Sequence, residues 1–151
     1  MRRRAGRNFL VGAAAFVMFA TMGWAVNHHE LNGTWQLVPT RSVLNGEPAV
    51  KSGTVSIRDH EGNISISRNF DFDAANTNFN GSFSTSARAG TAIKQPGLWS
   101  KSKWEGDVLK VTTVQNGITT VERYSLLNDG TMMEEVTRTG HHPETFYFEH
   151  Q

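Results

Sequence analysis

Along most of the chain, apolar and polar positions alternate. Val55 and Ile57 interleave with Thr54, Ser56 and Arg58. After Asp59-His60-Glu61-Gly62, residues Ile64, Ile66, Phe70 and Phe72 hold one parity, while Ser65, Ser67, Asn69, Asp71 and Asp73 hold the other. A period of two belongs to strands with one dry and one wet face. No comparable helical stripe follows the N-terminal segment. Turn signals recur at Gly62-Asn63, Gly106-Asp107, Asn116-Gly117 and Asp129-Gly130. Asn116-Gly117, between "VTTVQ" and "ITTVERY", is the strongest of these, because a two-residue hairpin needs positive φ at both central residues. The pattern predicts strands near 33–38, 53–59, 63–73, 79–87, 98–105, 107–115, 118–127, 131–139 and 144–150. Residues 74–97, rich in Asn, Ser, Thr, Ala and Gly, suit a long loop as well as a strand. About eight to ten short strands in hairpin order predict an all-β fold, an antiparallel up-and-down barrel, with a sandwich as the alternative.

The first 25 residues follow another rule. Arg2, Arg3, Arg4 and Arg7 precede an apolar run from Phe9 to Met22, and Gly23-Trp24-Ala25 offers small residues where a signal peptidase cuts. The segment therefore reads as an export signal. An uncleaved anchor is the alternative, since Phe9 to Val26 sits at the short edge of a bilayer span. The expected organisation is a signal at 1–25, a polar spacer at 26–30 and one domain at 31–151, periplasmic or secreted, with inner-membrane anchoring as the alternative. Without the leader's four arginines, eleven basic residues face fourteen acidic ones, so the mature chain is acidic. It has no basic run, which argues against a nucleic-acid surface. The absence of cysteine excludes disulfides and a lipid anchor through a lipobox, and favours a bacterial over a eukaryotic secretory setting.

"LNGTWQLVPTRS", with Gly33 and Trp35, resembles the Gly-x-Trp opening of lipocalin-like proteins. "WEGDVLKVTT" and "ERYSLLNDGTMMEEV" resemble later strands of small exported bacterial lipocalin-like domains. The resemblance covers Leu31 to the end. It implies a calycin-type barrel and, by analogy, a small apolar ligand. It also implies that Gly33 and Trp35 plug one barrel end beneath an arginine. The closing "TFYFEHQ" has no arginine, so Arg123 or Arg138 would have to fill that place.

Strict alternation puts Arg68 on the dry face of Ile64, Ile66, Phe70 and Phe72. A guanidinium buried there needs a carboxylate, either from a ligand head group or from Glu122 or Glu134. A bulge at Arg68-Asn69 would instead turn it into solvent. Trp104 shares parity with Leu98 and is the inward choice over Trp99. The expected ligand-binding set is thus Arg68, Ile64, Ile66, Phe70, Phe72 and Trp104, with 74–97 as a gate. A barrel this size is also narrow enough to be packed solid, which would make the protein a scaffold or envelope interaction module. Cleavage after Ala25 would expose Val26-Asn27-His28. Its amine, two amides and the His28 imidazole suit Cu(II) or Ni(II). His141, His142 and Glu144, beside Pro143, read as a solvated loop. No nucleophile elbow, zinc-protease motif or phosphate loop occurs. The sequence therefore favours a non-enzymatic binding protein without a cofactor, a hydrolase or isomerase being the weakest reading.

Overall fold

The structure is a computed structural model that describes residues 28–46, 49–73 and 80–151, apart from the side chains of 73 and 80–83. The segment read as an export signal, with Val26 and Asn27, lies outside the described residues. Ten strands form one antiparallel sheet: β1 (Gly33–Leu37), β2 (Ala49–His60), β3 (Asn63–Asp73), β4 (Asn80–Arg88), β5 (Ala92–Gln95), β6 (Leu98–Glu105), β7 (Val108–Gln115), β8 (Ile118–Leu126), β9 (Met132–Arg138) and β10 (Glu144–His150). Their spatial order is β4-β3-β2-β1-β10-β9-β8-β7-β6-β5. The first and last strands therefore meet in the middle of the sheet, where Trp35 pairs with His150 and Leu37 with Phe148. Such a sheet curls into a nearly closed up-and-down barrel. One seam remains, between the edge strands β4 and β5. The turn between these two strands is tied to β6, where the Gly90 N–H donates to the Ser102 carbonyl at 2.7 Å.

The alternation seen in the sequence becomes the division between lumen and solvent. Val55 and Ile57 on β2, Ile64 and Ile66 on β3, Leu109 and Val111 on β7, and Phe146 and Phe148 on β10 are all buried in one core. Each such side chain contributes about 1.5–3 kcal/mol by leaving water. The neighbours of opposite parity carry hydroxyls outward. Thr34 meets Ser56 at 3.0 Å, Ser67 meets Ser84 at 3.0 Å and Ser65 meets Ser86 at 2.9 Å. Hairpins form where the turn chemistry allows. Asn116 and Gly117 take φ of 50° and 81°, and Glu61 and Gly62 take 53° and 80°, the paired positive values of a two-residue turn.

Two glycines are required by close packing. Gly33 has φ 147°, and a Cβ there would run into the His150 imidazole. Gly53 lies beneath the Phe70 ring, which fills the space its side chain would take. Three expectations need correction. The strand expected at 53–59 is longer, running over Ala49–His60 with a register shift between Val50 and Ser52. The bulge considered at Arg68-Asn69 is absent from the pairing, since Arg68↔Val55 and Asn69↔Thr54 follow in register. The gate assigned to 74–97 is largely strand, β4 and β5, whose ladder bonds hold them to β3 and β6. Residues 74–79 of that stretch lie outside the described residues.

Candidate functional site

The inner face of β3 presents Ile64, Ile66 and Arg68 as buried residues, with Phe70 and Phe72 half-buried further along. Uninterrupted alternation forces the guanidinium inward with them. In the sheet order β3 and β8 are five strands apart, so they form opposing walls. Arg68 reaches across the lumen to β8. Its Nη2 donates to Glu122 Oε2 at 2.7 Å, and its Nε lies 2.6 Å from Glu122 Oε1. The same Nε is 3.0 Å from the Tyr124 hydroxyl, which donates to Glu122 Oε1 at 3.1 Å. This is the two-pronged arginine–carboxylate geometry, held in place by a phenol.

Glu134 stands beside this group on β9. It is opposite Tyr124 in the β8–β9 register and opposite Phe146 in the β9–β10 register. It is 2 % exposed, and its Oε2 has no hydrogen-bond partner among the described residues. Burial, reinforced by the neighbouring Glu122 charge and only partly opposed by Arg68, pushes its carboxyl up to about 8. At neutral pH Glu134 is therefore mostly a neutral acid. Burial also raises the Tyr124 phenol well above its usual value. For Arg68, burial works against the charge, but facing Tyr124, Glu122 and Glu134 outweigh it, so the guanidinium stays protonated.

A second polar feature lines the inner side near the seam. Ser100 and Thr113 share a hydrogen bond at 3.0 Å across β6 and β7, and Ser102 is buried on the same parity. Thr85, on edge strand β4, is buried with its Oγ1 unpartnered among the described residues. The lumen thus combines an apolar wall, one ion pair, one protonated acid and a hydroxyl lining.

The residues singled out from the sequence do not gather at one point. Trp104 packs at the end of the barrel where β2 turns into β3. Its Nε1 donates to Asp59 Oδ2 at 2.9 Å, and its ring stacks on His28 at 4.1 Å. Arg68 lies mid-barrel, and Phe72, paired with Val50, lies towards the other end. Trp35, expected as a plug, is buried and donates from Nε1 to the Leu31 carbonyl at 2.9 Å. The arginine sought above it is not Arg123, which pairs with Glu105, nor Arg138, which bonds Thr120. The edge of His150 packs against the indole instead, at 4.8 Å. Tyr124 as a hydrogen-bonding partner and the hydroxyl lining escaped the sequence reading. The parity of Ser100, Ser102 and Trp104 on one strand was the available signal.

Two hollows open among the described residues. One, of about 330 Å³, is lined by Ser56, Arg58, Ser65, Ile66, Ser67, Ser84, Thr85 and Ser86. The other, of about 380 Å³, lies at the tip formed by Lys94, Leu98, Trp99, Val114 and Asn116.

This antiparallel up-and-down architecture is shared with solved barrels. The fluorescent protein UnaG superposes with a TM-score of 0.59 at 14% identity, covering 82% of this chain and 98% of that one. A Schistosoma mansoni fatty acid binding protein, solved with arachidonic acid, gives 0.60 at 15% identity over 81% of this chain and 96% of that one. Echinococcus granulosus fatty-acid-binding protein 1 gives 0.59 at 12% identity over 81% and 98%. At these identities the likeness establishes the fold alone. No family model matches the sequence, and no curated protein matches it significantly.

Proposed function

We propose that this protein is an exported, non-enzymatic binding protein that holds a small apolar or amphipathic molecule within its barrel. One observation carries the reading. Mid-lumen, inside an apolar wall, sit ionisable and hydroxyl groups whose hydrogen-bonding capacity is not exhausted: Glu134 Oε2 and Thr85 Oγ1 are buried without partners among the described residues. Leaving such atoms unmatched costs about 1–3 kcal/mol each, and a polar head group entering the lumen would recover it. The apolar remainder of the ligand would lie against Ile64, Ile66 and Phe70, and the seam between β4 and β5 would serve as its entrance. Structures of the same fold carry names that speak of fatty acid binding, which supports the class of ligand. Export rests on the leader at 1–25.

The scaffold reading has its own support, because the Arg68–Glu122 pair crosses the lumen and occupies its middle. One experiment separates the two. Protein recovered from its native compartment is denatured and extracted, and the extract is examined by mass spectrometry. A stoichiometric amphiphile, with uptake of the neutral dye Nile red by the emptied protein, supports the carrier. A clean extract and no dye uptake assign the protein to the scaffold class.

A further inference from the structure

Building on the carrier reading, we infer that the barrel selects an amphiphile whose head group donates hydrogen bonds and bears no negative charge, a long-chain amine or alcohol, and that Glu134 receives it. The cation that a carboxylate head group would seek is already engaged. Arg68 presents Nε and Nη2 to Glu122, with Tyr124 closing the same group. An incoming carboxylate would have to displace Glu122 from it, or share one guanidinium with it. Either outcome buries two negative charges against one positive, in surroundings where uncompensated charge is costly.

The unmatched acceptor points the other way. Glu134 Oε2 is buried and without a partner among the described residues. The groups that face it are Tyr124 and Glu122 from β8, Phe146 from β10 and, across the lumen, Arg68 from β3. Arg68 is the sole cation of that set, and it is paired with Glu122. An alcohol can give its O–H to Oε2 and leave the charge of the cluster unchanged. An ammonium can do so while Glu134 releases its proton to solvent, which leaves two ion pairs and no net charge. In both cases the ligand supplies Oε2 with a donor that the described residues do not.

The test is displacement of Nile red from the folded chain at about pH 7 by dodecylamine, dodecanol and dodecanoate. The amine and the alcohol are expected to displace the dye at concentrations about tenfold lower than the acid. Glu134→Gln is expected to weaken the amine about tenfold while sparing the alcohol, since an amide accepts a hydrogen bond but cannot ionise. Glu122→Gln, which releases Arg68 from its carboxylate, is expected to shift the preference towards dodecanoate. Circular dichroism confirms that each variant is folded, and should Glu134→Gln fail to fold, the parent ranking and Glu122→Gln decide. An acid that displaces as well as the amine from the parent protein, or a ranking that Glu122→Gln leaves unmoved, overturns the head-group inference but leaves the carrier standing. Absence of dye uptake removes the carrier reading, and the inference with it.

Discussion

Replacing Arg68 by methionine removes the cation from the lumen while keeping a flexible apolar side chain that is shorter by the guanidinium end. Glu122 would remain, 8 % exposed, with the Tyr124 hydroxyl as its donor. Breaking a buried ion pair from one side costs about 3–5 kcal/mol. Arg68→Met is therefore expected to be about 3–5 kcal/mol less stable than the parent at pH 7. Arg68→Met with Glu122→Leu removes both charges and is expected within about 1 kcal/mol of the parent. Urea unfolding at pH 7, with the two singles and the double compared as a cycle, measures both. A loss below about 1 kcal/mol at pH 7, or a double variant as unstable as Arg68→Met, would refute the claim that this pair is buried and mutually dependent.

The neutral state of Glu134 gives the parent protein its own pH signature. With its carboxyl moved from 4.5 unfolded to about 8 folded, stability falls as pH rises between those values, at most by about 1.4 kcal/mol per unit. It levels off above about 8. Glu134→Gln is expected to flatten this slope in urea melts taken from pH 5 to 8, whereas carboxylates held low, such as Glu105 at about 2, act only in more acidic solution. Gly53→Ala drives a methyl into Phe70, whose ring stacks on Phe146 at 6.0 Å. A destabilisation of about 1–3 kcal/mol is expected, and Phe70→Leu in the same chain should recover part of it. The proposed leader is checked by the intact mass of the protein recovered from its native compartment. A chain beginning at Val26 should bind one Cu(II) with a visible band of tetragonal nitrogen ligation, and any other first residue abolishes it.

Strand positions were legible because a half-buried strand writes its two faces into alternate residues. Ile64 to Phe72 announced the wall, and Asn116-Gly117 announced the hairpin. Arg68 was legible as an anomaly on that wall, and its inward position needed only the absence of a bulge. Its partner was narrowed to Glu122, Glu134 or a ligand group, but could not be chosen. Parity says which face a residue occupies. It does not say which strands oppose one another across a closed sheet, and that depends on strand tilt and stagger. The short strand β5 was lost because Ala92–Gln95 alternates weakly beside a glycine-rich turn. The cap on Trp35 was misassigned to an arginine because analogy supplied the residue type, whereas the register with β10 supplied His150.

The cluster of Arg68, Glu122, Tyr124 and Glu134 gains little for stability that apolar side chains could not provide, since a well-packed hydrophobic replacement of a buried ion pair is often neutral or better. Its four members come from three strands that meet only when the sheet curls, so their joint burial is a consequence of closure rather than its cause. A barrel that was merely a solid support would have no physical need for an acid whose Oε2 is unmatched among the described residues, nor for the Thr85 hydroxyl, likewise unpartnered among them. Under the carrier reading proposed above, a donor entering from the ligand side would match both. The polar interior would then be half of an interface whose other half is a guest molecule, with its selectivity set less by Arg68, which Glu122 already holds, than by the acid beside it.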